Sequence, residues 1–452
     1  MFFDTCPKYI FLYVLLIASS VIGFSDSIEM RYIPEGTFWM GDDKNLVDEQ
    51  PLHLVTVSPF YMDVYEVHIW HWDKVSTWAF DNGYEFSASS QNLRKEGPYW
   101  YTDNSKLIFP MNMMNWYDAV KWCNARSELE GRSPVYYLDE NKTNVYRSGD
   151  VDLNSTNANW NATGYRLPTE IEWEYAARDG LYSKLYPWGN TVNGTQANYY
   201  YNGDPFDNSA TPVGYFNGFQ KIIDARYSFD GEYIKVADQR SNFGIHDLAG
   251  NVSEWCWDWY YDEWYSQSAA SVKDNRGPGE DLVYPINASR GIQMTRVVRG
   301  GNFRSKPDKE FGNELRLAYR NFFPPSSNQR RVGLRCVRGN NVDDPLWHTA
   351  TKLTGFPDWY FLKWLGYYWE SQVEWVYHFD FGWIYPTGHG SYNNWLYFPK
   401  QGWMWTNSYS YPYFYSNKES SWFRYDEDNA ELGWFIKLDS GASKRIGRVY
   451  PN

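Results

Sequence analysis

Sulfur is scarce in this sequence: 452 residues contain four cysteines. Cys6 stands ahead of an apolar run rather than at its end, which excludes lipid attachment there and puts it in a segment that processing would discard. The other three, Cys123, Cys256 and Cys336, are an odd number, so an oxidising compartment leaves one pair and one spare thiol, with three pairings open. Runs of lysine and arginine are also missing, and the net charge of −13 would repel phosphate backbones. Nucleic acid is therefore excluded as a partner. Long apolar runs are confined to Tyr9 through Ile17, preceded by Lys8 and followed by small residues from Ala18 to Gly23. That run is short for a membrane span and has no basic stop-transfer flank. It predicts a signal peptide over residues 1–25 and a mature chain that is secreted, periplasmic or at the cell surface, and not integral to the membrane.

Aromatic residues are abundant, at 20% of the chain beside a modest aliphatic content. Such a chain is long enough for two or three domains with a sizeable core. Alternating apolar residues at Leu52, Leu54, Val55 and Val57, then Phe60, Met62 and Val64, predict two short strands separated by Ser58-Pro59. NWYDAVKWCNARSELEG spaces Trp116, Ala119, Val120 and Cys123 as a helix does, with Asn115 as cap and Gly131 as stop. A second helix follows RLPTEIEWEYAAR, where Thr169 and Glu172 make a capping box. Between them, YYLDENKTNVYRSGDVDLNSTNANWNATGY is polar and is expected to be an exposed insertion ending in a short hairpin. Beyond Tyr186 the text is irregular and rich in turns, as α+β loop-rich domains are.

After Asn341 the composition changes. Of the 25 tryptophans, 11 fall between Pro345 and Asn452. WVYHFDFGWIY, NWLYFPKQGWMW and SWFRYDEDNAELGWFIKL repeat one pattern, an aromatic strand, a short gap, then Gly-Trp and another aromatic strand, with Gly382, Gly402 and Gly433 equivalent. Alternation of Trp375, Tyr377 and Phe379, and of Trp395 and Tyr397, puts aromatics on one face of successive hairpins. Residues 341–452 are thus expected to be a small all-β aromatic hairpin-repeat module. It is similar to aromatic repeats that bind surface glycans, while the plainer reading is that the rings are the only core that such hairpins have.

Eight motifs occur in order: IPEGTFWMGD, YMDVYEV, NWYDAVKWC, GYRLPTEIEWEYAAR, YPWGN, FGIHDLAGNVSEW, VVRGGNF and RLAYRNFFPPSSNQRRVGLRCVR. Together they resemble the formylglycine-generating enzyme, or sulfatase-modifying factor, family over about residues 28 to 339. The resemblance implies a loop-rich C-type-lectin-like fold for a domain spanning residues 26–340.

The resemblance also implies a chemistry that these residues do not supply. Oxidising members hold copper with two cysteines shortly after the RGG motif, because Cu(I) wants soft thiolates. Here Ser305 stands at the first position, and Lys306 to Leu315 contains no thiol. No catalytic residue is expected, copper is not expected as a cofactor, and Asn302, Ser305 and Arg331 become candidates for a binding pocket. Calcium is implied by HDLAGNVSEW, through Asp247, Glu254 and the carbonyls of Gly250 and Val252, since that ion takes several hard oxygens. A further calcium position would begin at Asn198 and Tyr199, with later ligands near Asp204 and Asp207. Cys123 and Cys336 match a family disulfide; Ala177 and Leu317 replace both halves of another. Arg299, Arg316, Arg320, Arg330, Arg331 and Arg335 could clamp an anion, or could pair with the acidic residues of the fold. The expected function is a non-oxidising binding protein with a protein, peptide or glycan ligand. The alternative is an enzyme that uses the same pocket for different chemistry, although the HxxxH ligands of iron-dependent relatives are absent.

Overall fold

The computed structural model describes residues 28–88, 90, 108–179, 184–204, 206, 208–222, 234–283, 286–288, 291–307 and 313–339 of the first domain. Of the tail it describes 350–353, 355–356, 358–371, 375–387, 393–399, 401–407, 410–426, 434–438 and 443–445. The predicted signal peptide and Gly433 lie outside these. Among the described residues, no helix is long and apolar enough to cross a membrane.

The strand Ser253–Trp259 has all seven residues buried, because both faces of its sheet are covered. Trp255 and Trp257 point into one cluster with Trp116 and Trp122, and Cys256 points into another with Ile171 and Trp173. Its sheet has the order Asn321–Phe323, Arg296–Arg299, Ser253–Trp259, Val332–Gly333, with only the last pairing parallel. A second sheet sets Phe60–Asp63 between Met30–Ile33 and Val337–Gly339. It ties the start of the domain to its end.

Among the described residues, three helices cover these sheets: α1 at Ile69–Asp81, α2 at Trp116–Leu129 and α3 at Glu170–Arg178. The caps of α2 and α3 are those expected. The Asn115 side chain accepts from the Asp118 N–H, and Thr169 and Glu172 form the reciprocal box. The helix α1 is an addition to the two foreseen. Its N-cap, His68, makes no side-chain cap bond, so the usual start signal is missing, but Trp72, Val75 and Ala79 are buried at helical spacing. The rings of Trp72 and Trp122 stack at 5.5 Å, joining α1 to α2.

The insertion from Tyr136 to Tyr165 differs from expectation. It forms no hairpin strands, only isolated bridges Tyr136↔Ala158 and Tyr137↔Val145 and a single 3-10 turn at Ser155–Asn157. Tyr136, Tyr146 and Leu153 are buried in the first core, so aromatic anchors rather than strand pairing hold a polar loop in place.

The tail is one antiparallel meander of eleven strands, from Thr351–Lys352 to Ser443–Arg445, in unbroken sequence order. The hairpins Trp359–Leu362 with Gly366–Glu370 and Tyr413–Ser416 with Ser421–Tyr425 extend the array beyond the three units visible in the repeat. Gly382 and Gly402 begin strands at φ of +72° and +76°, a conformation that L side chains rarely adopt, which is why the repeat keeps glycine there. Phe381 lies 6.0 Å from Phe435 and 5.7 Å from Phe414, so the sheet curls until distant strands share one core.

Candidate functional site: a hydroxyl–carboxylate pair beside a polar pocket

The site grows from the end of the strand Arg296–Arg299. Gly300 and Gly301 follow at φ of +94° and +65°. A Cβ on Gly301 would lie 2.8 Å from the Glu314 carbonyl, so only glycine lets this turn press against the segment that follows it. The turn then closes on itself: Ser305 N–H donates to the Asn302 carbonyl, and Asn302 N–H donates to Ser305 Oγ at 2.9 Å. Ser305 Oγ in turn donates to Glu314 Oε2. A hydroxyl and a carboxylate thus meet where the family resemblance places two thiols. Residues 308–312, in the stretch implied for the second thiol, are outside the described residues.

A cavity of about 120 Å³ opens beside this pair, large enough for a few waters or one small side chain. Asn302, Glu314, Asn321, Gln329 and Arg331 supply its polar wall, with Phe323 and Val332 as its apolar part. Of the three pocket candidates, Asn302 and Arg331 line it directly, whereas Ser305 is buried behind Glu314. Asn302 is fixed by donating to Ser253 Oγ at 3.0 Å and accepting from Arg304 N–H. Glu314 was missed in the sequence because it belongs to no spacing motif. Its position depends on the chain folding back from Gly301.

The arginines divide between the two readings. Arg299 binds Glu170 and Glu174, Arg316 binds Glu49 in a fork of two 2.6 Å bonds, Arg320 binds Glu170, and Arg335 binds Glu254. These four are buried ion pairs that tie loops together. Arg330 is exposed, and the half-buried Arg331 guanidinium has no acidic or hydrogen-bonding partner among the described residues while it faces the cavity. One arginine of six is therefore available to a ligand at this pocket.

The loop proposed for calcium leads into Ser253–Trp259 and is bonded to the same glycine turn, Phe303 N–H donating to the Asn251 carbonyl. Asp247 and Gly250 take φ of +59° and +91°, and the Gly250 N–H donates to the Gly300 carbonyl. Asn251 N–H donates to the Asn198 carbonyl, so the two candidate calcium loops touch. Glu66, unforeseen in the sequence, enters here and accepts from Asn251 Nδ2 and from Val252 N–H. Burial raises the carboxyl of Asp247 to about 6, and burial together with Asp247 and Glu254 raises that of Glu66. Three buried carboxylates thus share one guanidinium, that of Arg335, whose fork already fills both oxygens of Glu254. Among the described residues, no group of three or more acidic, histidine or cysteine side chains is arranged to hold a metal ion. Asp247 is turned less firmly elsewhere, accepting only one backbone bond, from Gly214. In the second loop, Asn198 Oδ1 is buried with no hydrogen-bond partner, Asp204 Oδ1 accepts from Phe206 N–H, and Asp207 lies outside the described residues.

The thiols of Cys123 and Cys336 face each other with their sulfurs 3.6 Å apart, both buried. Ala177 and Leu317 are fully buried within one apolar cluster, an ordinary core contact where the resemblance implies a second bridge. Cys256 is fully buried between Trp255 and Trp257, and burial pushes its thiol well up, which leaves it unreactive.

Known proteins resemble this arrangement in sequence. The Chaperone protein LppX of Paenibacillus barcinonensis is 29% identical over 219 residues, 46% of this chain and 64% of LppX, so the match spans less than two thirds of that relative. The formylglycine-generating enzyme of Mus musculus is 28% identical over 68% of this chain and 74% of its own length. The inactive C-alpha-formylglycine-generating enzyme 2 of Mus musculus is 26% identical over 73% and 92%. A family description, the sulfatase-modifying factor enzyme 1-like domain, matches residues 25–340, well over half of the chain. With the ordered motifs, the capped helices and the glycine turn all in place, the chain belongs to the sulfatase-modifying factor enzyme family.

Proposed function

We propose that the first domain is a non-oxidising binding domain whose polar pocket recognises a protein, peptide or glycan group. The observation that carries this reading is the Ser305–Glu314 pair. Neither oxygen group is a soft ligand or redox-active, so Cu(I) has no thiolate support at these positions. The pocket instead offers a carboxylate, an unpaired guanidinium and three side-chain amides, which together recognise a small group carrying both donors and acceptors. The relative named inactive is a precedent within the family for a member without the oxidation. An enzyme using Ser305 as nucleophile is disfavoured, because its Oγ is buried, receives the Asn302 N–H and donates to Glu314.

Calcium is part of the same proposal. Asp247 and the carbonyls of Gly250 and Val252 would hold it, with Glu254 completing the set, and it would neutralise buried charge rather than act on a ligand. A Cys123–Cys336 bridge and export through the N-terminal segment complete the reading.

The test incubates the purified chain with copper, oxygen and a CxPxR peptide and looks by mass spectrometry for formylglycine. Product above a metal-only control sinks the binding reading. In parallel, peptide and glycan arrays probed with the wild type, Arg331→Ala and Glu314→Gln should yield a ligand that both variants lose at least tenfold.

A further inference from the structure

The rings of the tail fall into two sets that the strand alternation keeps apart. Inward positions carry Phe398, Phe414 and Phe435 with aliphatic neighbours, and these make the core. Outward positions carry tryptophan and tyrosine. On four adjacent strands the register lines up Trp395↔Trp405, Trp405↔Tyr415 and Tyr415↔Trp422 as one cross-strand row. Its members are half-buried or exposed, with Trp395 at 37% and Trp422 at 38%. The core therefore exists without them, and the plainer reading of the aromatic repeat accounts for only one of the two faces.

Three properties of the outer row select a partner. First, it is nearly uncharged: the outward positions of these four strands carry a single charged side chain, Arg424, in a chain of net charge −13. An ionic polymer would find at most one counter-charge there. Second, the donors are unspent. The indole N–H groups of Trp403, Trp405 and Trp422 have no hydrogen-bond partner among the described residues, whereas Trp116, Trp122, Trp173 and Trp255 in the first domain all donate to the protein. Third, the rings are held by one another, Trp405 on Trp422 at 5.9 Å and Tyr415 on Trp422 at 5.6 Å, edge to face. Such a row loses little conformational freedom on binding. Trp405 and Trp422, two strands apart, lie only 5.9 Å from each other, so the rings lean together into a compact aromatic platform.

We propose that this outer face binds a neutral polysaccharide, whose pyranose C–H faces lie on the row Trp395–Trp405–Tyr415–Trp422 while the indole N–H groups of Trp403, Trp405 and Trp422 bond its hydroxyls. A second copy of the chain is the competing occupant, but a dimer interface built on this face would leave its indole donors only the few tyrosine hydroxyls as acceptors, fewer than the hydroxyls of a sugar supply.

The test uses the full mature chain in depletion assays with cellulose, chitin and an insoluble β-1,3-glucan. Retention on at least one of them, displaced by its soluble oligosaccharide, is expected. The double variant Trp405→Ala, Trp422→Ala should bind at least tenfold more weakly with the same circular dichroism. Should the double variant misfold, the single variant Trp422→Ala, at the more exposed end of the row, must still weaken retention. No retention on any of the three polymers, or retention undiminished in the folded variants, overturns the proposal. So does a concentration-dependent dimer in sedimentation that the substitutions abolish in the absence of polysaccharide binding.

Discussion

Glu254, in the strand Ser253–Trp259, and Asp247, in the loop that leads into it, stand seven residues apart and answer to different partners. Both oxygens of Glu254 accept from Arg335, and one also accepts from the Trp173 indole, all without solvent. Removing that charge would leave a buried guanidinium half-paired, so Glu254→Gln is expected to cost about 3–5 kcal/mol whether or not calcium is present. Asp247 has a single backbone donor, and Asp247→Asn should fold. If calcium binds this loop, chelation lowers the melting temperature of the wild type, and Asp247→Asn removes most of that response. Melting curves that are identical with calcium and with chelator would exclude the site. The motif HDLAGNVSEW delivered Asp247 and Glu254 together, because both stand in one short stretch of sequence. It could not show that the ion pair with Arg335 occupies one of them, since that contact crosses 81 residues. Glu66 and Glu314 were invisible for the same reason: each reaches its site through tertiary folding, and neither stands in a local pattern.

At the level of single elements, the first turn of α3 shows how local signals and long-range contacts combine. Thr169 and Glu172 cap it from within, as the sequence predicts, and the Arg166 fork fixes Glu172. The remaining first-turn donor, Glu170 N–H, goes to Asp258 Oδ2 on the neighbouring strand, and Asp258 Oδ1 is buried with no partner. Burial, reinforced by the carboxylates of Glu170 and Glu172, pushes the Asp258 carboxyl up to about 7. A carboxyl raised in the folded state contributes stability that is fully present below its unfolded value near 3.8 and is lost as pH rises through 7. Asp258→Asn keeps the acceptor and removes the titration. Its stability relative to wild type should therefore rise between pH 5 and pH 8, by up to roughly 3 kcal/mol, in denaturant titrations. A difference that does not change with pH would contradict this. The capped ends of α2 and α3 were legible because capping is a short-range code. The helix α1 was not, because it starts without a capping side chain and depends on α2 for its burial.

Across the whole molecule, α2 and the last sheet of the first domain meet at Cys123 and Cys336, 213 residues apart. A bridge there would close a loop for which chain entropy suggests roughly 5 kcal/mol, an upper figure. Peptide mapping without reductant should recover the two cysteines joined and Cys256 free, and reduction should lower the melting temperature of the first domain. Cys256 found in an intramolecular bridge would overturn the assignment. The tail should respond to a different variable. His378 is buried, with Nε2 bonded to the Leu365 carbonyl and Nδ1 accepting from the backbone of Asp380 and Phe381. Burial lowers it to about 4. The stability that its neutral form contributes is present above the unfolded value of 6.5 and is lost as pH falls through 4, roughly 3 kcal/mol in all. Calorimetry between pH 7 and pH 4 should show the tail transition moving down with acid, and unchanged tail melting over that range would count against the assignment.

The unbroken strand order of the tail has a consequence for inheritance. Among the described residues, each of the eleven strands pairs only with its neighbours in the chain, so no pairing spans more than one hairpin. Gly382 and Gly402 mark one such unit, 20 residues long. Copying or deleting a unit leaves the register of every other pair intact, while the core that distant strands share through Phe381, Phe414 and Phe435 has to repack around the change. The number of hairpins is thus a quantity that gene duplication can change in whole steps, and each step lengthens or shortens the outer aromatic row without redesigning the domain that carries it.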